Sequence, residues 1–429
     1  MNVRGAESGH QHHRRTLPRS ARLLLAVNAC NALGTSLSSI FINVYWYKLT
    51  QDMSQTLLFN LITYLAWLPA FAAAGWLSKK ASRTKALWIG SAVQVLFYIS
   101  VLGLGTESSK WLTALGILNG IGQGFYWMSV NVLSVDVTSP ENRDWFNGIN
   151  GIAGAVSGMI GPLVAGIVVG AMPQMAGYTT VFMLSFVCFL VSLLTALLLP
   201  KDRPEGGFDW RSLLQTLQHK EWRSLTFAFV GIAFRDGVLS VAVWLWLYIA
   251  TGSESSTGQY AFLTTLLSVG GFYVVGRFAK EHLRWRFMVF GAVLISLSMT
   301  GITLLTTWSL VFYAVVSAAC RPFFDAPFNT TAFNAIGRFD RNGTIRIELV
   351  VWREAALSVG RISSVALLYA IYRSDTPHIE LQLNLFLGAM VVMGLMPLYF
   401  IRKAAAASQR SKRLPKRHYS IGPSEEESA

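Results

Sequence analysis

A short basic loop between two long apolar runs has the sequence Gly75-Trp76-Leu77-Ser78-Lys79-Lys80-Ala81-Ser82-Arg83-Thr84-Lys85. Its pattern returns 201 positions later (276 − 75) as Gly276-Arg277-Phe278-Ala279-Lys280-Glu281-His282-Leu283-Arg284-Trp285-Arg286. At the same offset, the aromatic cluster Tyr45-Trp46-Tyr47 aligns with Trp246-Leu247-Tyr248. A repeat of nearly half the 429 residues predicts two related halves, each with one copy of the basic loop.

The composition is that of a membrane protein. Hydrophobic residues make up 53% of the chain and charged residues 14%, against about 25% charged residues in soluble domains. The formal charge of +14 is concentrated in short loops and in the two tails, which indicates one face of a membrane protein rather than nucleic-acid binding. The cysteines Cys30, Cys188 and Cys320 lie in apolar segments, without the spacing of a metal site or a disulfide framework.

Twelve apolar runs are long enough to cross a bilayer as helices, for which about 20 residues are needed. They cover residues 22–49, 55–77, 86–105, 111–137, 145–172, 177–200, 223–250, 257–280, 285–307, 309–336, 346–372 and 379–402. The sequence therefore predicts an all-α membrane protein of twelve transmembrane helices, arranged as two pseudo-symmetric bundles of six.

Basic residues also predict the orientation. They cluster in the two tails, in both copies of the basic loop and between the halves, so both termini are expected on the cytoplasmic side of the cell membrane. An even number of helices requires the same arrangement. The expected divisions are a cytoplasmic tail, a first bundle, a linker, a second bundle and a disordered cytoplasmic tail, at residues 1–21, 22–200, 201–222, 223–402 and 403–429.

Six helices, a linker and six more helices, with a basic loop between the second and third helix of each half, resemble the major facilitator superfamily. The family's loop signature has glycine, leucine two places on, an acidic residue, and a later arginine. Gly75 and Arg83 match in the first copy and Gly276 and Arg284 in the second, but a lysine stands at the acidic place in both.

The resemblance implies a conformational latch in which the loop acid takes part. Because Lys79 occupies that place here, the acid has to come from elsewhere. Asp136 and Asp340, at the predicted cytoplasmic ends of the fourth and tenth helices, are the candidates for Arg83 and Arg284. The alternative is that these basic residues only follow the positive-inside rule.

The stretch 157–166 in the fifth helix resembles the family's antiporter motif through Gly158, Gly161, Pro162 and Gly166. Serine and alanine replace two of the family's glycines. Small residues let helices approach closely, so a closely packed helix is the plain alternative. The resemblance implies an exporter or exchanger.

Ionisable residues at the predicted membrane depth are concentrated in the second half. Each costs several kcal/mol there unless it is paired or hydrated. Adjacent helical residues point in different directions, so Arg235 and Asp236 are expected to find partners on other helices, whereas Arg321 and Asp325, four apart, can pair. The full set is Arg235, Asp236, Arg321, Asp325, Arg353 and Glu354.

The first half carries only neutral polar groups at this depth: Asn28, Asn31, Thr35, Asn119, Gln123 and Trp127. The resemblance implies that the first, fourth, seventh and tenth helices line a central cavity. Two interpretations of the second-half charges remain open. They form buried pairs that fix helix packing, or Asp236 or Asp325 exchanges a proton while an arginine holds a polar group of the substrate.

The leading hypothesis is a secondary transporter that couples proton entry to export of a small amphipathic or polar molecule by alternating access. A flippase for a lipid-linked sugar is the alternative within the fold, and a receptor, scaffold or membrane enzyme the alternative outside it. The predicted cytoplasmic segments contain no nucleophile motif, metal-binding histidine pair or phosphate loop, so an enzyme is not expected. We expect a monomer without cofactor that binds its substrate and an anionic lipid leaflet, uses the proton gradient, and binds no nucleic acid.

Overall fold

The structure is a computed structural model that describes residues 17–139, 141–200, 207–278, 280–304, 306–340, 345–374 and 377–413. Most of the two predicted tails and the first part of the predicted linker lie outside these ranges. Twelve long α-helices and one short one make up the described part of the chain. They are α1 (Arg19–Thr50), α2 (Met53–Lys80), α3 (Arg83–Leu104), α4 (Leu112–Asp136), α5 (Arg143–Ala171), α6 (Ala176–Leu197), α7 (Trp210–Gln218), α8 (Lys220–Thr251), α9 (Glu254–Phe278), α10 (Arg284–Met299), α11 (Thr307–Phe339), α12 (Arg346–Arg373) and α13 (Ile379–Arg413).

Eleven helical segments among the described residues are long and apolar enough to cross a membrane. One of them, Arg83–Asp136, has 54 residues and would be about 80 Å long as a single straight helix, far more than the bilayer's ~30 Å apolar core. Gly105, with a φ of 51°, ends α3 and opens a short 3-10 segment that leads into α4. The prediction of an all-α protein with twelve transmembrane helices is therefore confirmed.

Several helix starts are set by side chains that cap the free backbone N–H groups of the first turn. Asp52 and Ser82 accept hydrogen bonds from Ser54 N and Lys85 N, and Thr306 forms a reciprocal capping box with Ser309. Asp209 caps α7 by accepting from the Ser212 hydroxyl and amide, and these bonds lower the pKa of its carboxyl.

The two halves pack by the same rules. In the first half, α1 packs against α5 and α6, α2 against α4, and α3 against α4 and α6. The second half repeats this plan, with α8 against α12 and α13, α9 against α11, and α10 against α11 and α13. Between the halves, α5 packs against α9 and α2 packs against α12, so the interface is also two-fold.

The two ends of the bundle differ in charge. We call the end that holds the α2–α3 turn (residues 80–83), α7 and the start of α8 the basic end, and the other end the opposite end. The helix α7 connects the halves across the basic end, where it packs against α8 and α12. Successive long helices alternate in direction, and the short α7 does not cross the bundle, so α8 runs from the basic end to the opposite end and α11 runs back.

Candidate functional site

Four charged side chains form a continuous chain near the midpoints of α8 and α11. Arg235 Nε donates to Asp236 Oδ1 over 2.7 Å, and Arg321 Nη2 donates to Asp236 Oδ2 over 2.6 Å. Arg321 Nε also donates to Asp325 Oδ2 over 3.0 Å. Asp236 is therefore held by two arginines, one on each oxygen, whereas Asp325 is held by one. The chain of charges links α8 to α11 by the Asp236–Arg321 pair.

The prediction that Arg235 and Asp236 do not pair with each other is wrong. The long arginine side chain turns its Nε back to the neighbouring carboxylate while it stays almost fully buried, at 1% exposure. Its guanidinium also lies 5.7 Å from the ring centroid of Phe324 on α11. Arg321 and Asp325 pair as expected from their spacing of four residues.

The charged residues of α12 form a separate group. Glu354 accepts a hydrogen bond from Arg361 Nη1 over 2.7 Å, and Arg353 Nη2 donates to Asn329 Oδ1 over 3.2 Å. The Arg361 guanidinium lies 5.5 Å from the ring centroid of Trp67 on α2, so it reaches the first half. Neither Arg353 nor Glu354 joins the chain of charges between α8 and α11.

The chain of charges opens onto a cavity of about 240 Å³. The lining comes from α8, α9 and α11, all in the second half. Asp236 and Arg321 lie at the mid-depth end of the cavity, which we call its inner end. Hydroxyl groups and the rings of Trp244 and Tyr313 line the rest, together with apolar side chains. Because Trp244 follows Asp236 along α8, and Tyr313 precedes Arg321 along α11, the cavity extends from mid-depth toward the opposite end.

A second cavity of about 510 Å³ lies at the opposite end, between the halves. The end of α1 and the start of α2 supply Tyr47, Asp52 and other residues, and α8 and α12 supply Trp246 and Tyr372. Trp246 Nε1 donates to the Tyr372 hydroxyl over 3.0 Å. Tyr47 and Trp246, one from each of the two aromatic clusters that align in the sequence, therefore line the same cavity.

The neutral polar groups of α1 are bound inside the first half. Asn28 donates to Asn150 Oδ1 over 2.9 Å and accepts from the Tyr126 hydroxyl over 3.0 Å. Asn31 donates to Gln94 Oε1 over 2.7 Å, and both of these amides are buried. These bonds hold α1 to α3, α4 and α5, and they direct Asn28 and Asn31 away from the two cavities.

The remaining predicted residues of the first half are partly exposed. Trp127 Nε1 donates to Gln123 Oε1 over 3.0 Å along α4, and the indole is 42% exposed. Asn119 and Thr35 are half-buried. None of these four residues lines either of the two cavities described above.

Comparison with known proteins decides the class. Residues 14–345 match the Major Facilitator Superfamily, which is well over half of the chain. The chain belongs to this superfamily. It is a multi-pass membrane transporter and not an enzyme. Among the described residues, no group of three or more His, Cys, Asp or Glu side chains is placed to hold a metal ion.

Two bacterial relatives are similar in sequence. A Bacillus subtilis (strain 168) protein described as "Uncharacterized protein YqgE" is 30% identical over 357 residues, covering 82% of this chain and 83% of the relative. A Geobacillus stearothermophilus protein, "Uncharacterized protein in sodM 3'region", is 39% identical over 188 residues, covering 44% of this chain and 87% of the relative.

Solved structures share the fold at low sequence identity. A peptide transporter POT in complex with sulfate superposes with a TM-score of 0.69 at 14% identity, covering 91% of this chain and 96% of that one. A bacterial homologue of the iron transporter ferroportin, in an outward-facing state, gives a TM-score of 0.63 at 14% identity, with 91% and 100% coverage. At such identities the similarity shows the major facilitator fold alone.

The first copy of the superfamily's loop contacts the other half. Lys79, at the acidic place of the signature, pairs with Glu348 in the first turn of α12, and both side chains are buried, at 8% and 0% exposure. The Asp209 amide also donates to Glu348 Oε1 over 2.8 Å, so the segment before α7 meets the same carboxylate. Sequence reasoning did not include Glu348 among the site residues. The sequence signal that could have found it is an acidic residue at the predicted start of the eleventh helix, which can pair with the lysine at the acidic place of the loop signature.

Two further residues of this copy are also engaged. Arg83 Nη1 pairs with Asp136 Oδ2 at the end of α4 over 2.9 Å. Gly75 lies against α12 so closely that a Cβ there would be 2.9 Å from Val351 Cγ2. The first copy therefore joins α2 to α3, α4 and α12 at the basic end.

The second copy of the loop lies at the surface. Gly276 is exposed, and a Cβ there would meet nothing within 4 Å. Asp340 pairs with Arg346 Nε over 3.2 Å and accepts from the Ile345 amide over 3.0 Å, rather than pairing with Arg284. The predicted partner for Arg284 is wrong, because Asp340 ends α11 and its carboxylate instead binds Ile345 N and Arg346 just before and at the start of α12.

The antiporter-like segment lies at the interface between the halves. Gly166 on α5 faces Gly258 on α9, and a Cβ at Gly258 would be 2.4 Å from the carbonyl oxygen of Pro162. Gly161 is similarly close to Ser36 on α1. Next to this crossing, the Thr265 hydroxyl oxygen, which donates to Ala261 on its own helix, also lies 3.2 Å from the Gly158 carbonyl oxygen of the other half. The small residues therefore allow contact between the backbones of the two halves.

A second ion pair joins the halves at the opposite end. Lys48 Nζ at the end of α1 lies 2.5 Å from Glu254 Oε1 at the start of α9. The Tyr178 hydroxyl donates to the same oxygen over 3.0 Å. In these two ion pairs, Lys48–Glu254 and Lys79–Glu348, the first half supplies the lysine and the second half the glutamate.

Proposed function

We propose that this transporter is a proton-coupled exporter of a small polar or amphipathic molecule, working by alternating access. The observation that carries the proposal is the chain Arg235–Asp236–Arg321–Asp325, which reaches a cavity at mid-depth. Ionisable groups at that depth typically mark proton or substrate pathways. Substrate sites near the bilayer midplane are the usual arrangement in secondary transporters.

Asp325 is the proposed proton carrier. It has one arginine partner, whereas both oxygens of Asp236 are held by arginines. A proton on Asp325 removes one of the two carboxylates that hold Arg321, and the guanidinium then faces the cavity with a changed charge balance. Because a conformational equilibrium shifts only through such a difference in interaction, protonation and substrate binding become coupled at Arg321.

Two features support export of a small molecule. The antiporter-like segment makes the contact between α5 and α9, and in this superfamily the motif accompanies exporters and exchangers. The cavity of about 240 Å³ is small beside the ~300–1,000 Å³ of drug-sized sites, which favours a small molecule over a lipid-linked sugar. The proposal includes a monomer in the cell membrane, both termini in the cytoplasm, and the proton gradient as the energy source without a cofactor.

The test uses the full chain in proteoliposomes that enclose a pH-sensitive dye. Candidate polar and amphipathic molecules are added to wild type, Asp325→Asn and Asp236→Asn, and to Glu107→Gln as a control. Glu107 is a largely exposed carboxylate paired with Lys110. It lies between α3 and α4 in the first half, outside the cavity lining. Size-exclusion profiles of all four proteins first establish that each is folded.

We expect substrate-driven proton movement in wild type and Glu107→Gln, and at least a tenfold loss in Asp325→Asn. Asp236→Asn should weaken substrate binding as well, because Arg321 loses its support from α8. Substrate movement without a proton signal in wild type, or coupled movement unchanged in Asp325→Asn, would overturn the proposed coupling.

A further inference from the structure

Six hydroxyl groups line the cavity beside the chain of charges, and four of them donate their protons to backbone carbonyls. Ser240 donates to the Gly237 carbonyl over 2.9 Å, and Thr264 and Thr265 both donate to the Ala261 carbonyl, over 3.0 and 2.9 Å. Ser268, on α9 like the two threonines, donates across to the Ala318 carbonyl of α11 over 2.9 Å.

A hydroxyl has one proton and two lone pairs. Since all four protons go to backbone carbonyls, these hydroxyl oxygens can act toward a ligand only as acceptors. The part of the cavity that they line therefore fits a group rich in hydrogen-bond donors. Trp244 and Tyr313 line the same cavity and further favour a cationic donor, because aromatic rings attract ammonium groups.

Arg321 provides the complementary feature at the inner end. Its side chain is 45% exposed. An arginine has five N–H donors, and two of them here are bonded to Asp236 and Asp325. The rest of the guanidinium can bind a carboxylate in the two-pronged geometry that arginine prefers.

The overall charge of the site limits the ligand further. Arg235 and Arg321 balance Asp236 and Asp325, so the chain of charges is neutral as a whole. A ligand with a net charge would leave that charge uncompensated at mid-depth, where this is costly. A ligand with one positive and one negative group leaves the balance unchanged.

We infer that the cavity binds a small zwitterion with a protonated amine and a carboxylate, of the amino-acid type. The carboxylate binds Arg321, and the ammonium donates to the hydroxyl oxygens of α8 and α9 beside Trp244 and Tyr313. This inference names the substrate class of the site in the proposed function and rests on that site being the transport site.

The test is equilibrium binding to the purified full chain by calorimetry. The probes are glycine, serine, leucine and phenylalanine as free amino acids, followed by three derivatives of the best binder. The methyl ester removes the carboxylate, the N-acetyl form removes the ammonium, and the N-trimethyl form keeps the positive charge but has no N–H donors. We expect each derivative to bind at least tenfold more weakly than the free amino acid.

Variants locate the site. Ser240→Ala removes one acceptor from the cavity and should weaken binding about tenfold, since a hydrogen bond to a charged group is lost. The matched control is Ser363→Ala, because Ser363 also donates to a carbonyl of its own helix but lies on α12, outside the lining. Ser268→Ala repeats the test from α9, in case Ser240→Ala is poorly folded.

The inference is overturned if none of the free amino acids binds, if the ester or N-acetyl form binds as tightly as the parent, or if Ser240→Ala and Ser268→Ala both bind like wild type. Its failure differs from failure of the proposed function. Coupled transport of a molecule that is not a zwitterion would contradict the inferred substrate class and leave the proposed coupling intact. Binding of a zwitterion without proton movement would contradict the proposed coupling and leave the inferred substrate class intact.

Discussion

The two copies of the basic loop have nearly the same sequence pattern but very different surroundings. In the first copy, Lys79 and Gly75 contact α12 of the other half, through a buried ion pair and a close approach to Val351. In the second copy, Gly276 and Lys280 are exposed. The fold repeats, while the contacts of the repeated motif do not.

The difference arises from what lies opposite each copy. The first copy faces the start of α12, where Glu348 provides a buried carboxylate. By the two-fold plan of the bundle, the second copy would face the start of α5, where the charge pattern is different: Asp144 lies in its first turn beside Arg143. The duplicated motif is therefore asymmetric: among the residues that the structure describes, the first copy is the one that contacts the other half.

The largest expected effect comes from the buried pair. Lys79→Met leaves Glu348 charged and buried without its cation, which should cost about 3–5 kcal/mol of unfolding free energy. Adding Glu348→Gln should recover much of this, because the uncompensated charge is gone and the amide oxygen still accepts from Asp209 N. Thermal denaturation in detergent, followed by size-exclusion chromatography, measures both.

Lys280→Met is the matched control for this pair and should leave the unfolding midpoint unchanged. If it destabilised the protein as much as Lys79→Met, the second copy would have a buried partner in solution, and the contrast between the copies would disappear.

The two glycines should respond with opposite signs. In Gly75→Ala, the new methyl group meets Val351 Cγ2 at 2.9 Å, and such overpacking costs about 1–3 kcal/mol. In Gly276→Ala, the methyl group has open space, and the better helix propensity of alanine should stabilise α9 by about 0.5–1 kcal/mol. Denaturation midpoints of the two variants, measured side by side, give the sign directly. Equal shifts would contradict the different packing of the copies.

The smallest effect is expected for the arginines. Arg83→Ala removes a partly exposed ion pair with Asp136 and should cost about 1 kcal/mol. Arg284→Ala removes no ion pair with Asp340 and should stay within about 0.5 kcal/mol of wild type. Increasing the salt concentration should reduce the difference in unfolding free energy between the two variants, because salt screens the Arg83 pair. A difference that does not depend on salt would mean that Arg83 stabilises the protein by packing and not by charge.

Length and hydropathy were enough to predict the helices, because a bilayer imposes one length on every spanning segment. Spacing along one helix was enough for Arg321 and Asp325, since residues four apart share a face. Contacts that depend on side-chain flexibility or on another helix were harder to predict. The bend of the Arg235 side chain toward Asp236, and the hydrogen bond of Asp340 to the amide of Ile345, depend on local geometry that a helical pattern does not contain.

The first half gives the same lesson for polar residues. Asn28, Asn31 and Thr35 share a helical face, and the pattern alone does not distinguish a face toward a cavity from one toward a neighbouring helix. The amides find partners on three other helices of their own half, because neutral polar groups can be buried at little cost once they are hydrogen-bonded. Their role in a substrate pathway stays a prediction.

The backbone contact between Gly166 and Gly258 has a mechanical consequence. Helices whose backbones touch directly can rotate against each other without any side chain being repacked. This crossing can therefore act as the pivot, or fulcrum, of a rotation between the halves. Phe278, at the far end of α9, lies about 30 Å from Gly258 at 1.5 Å per residue. A rotation of a few degrees at the fulcrum is therefore amplified by a long lever arm into a displacement of an ångström or more at the basic end.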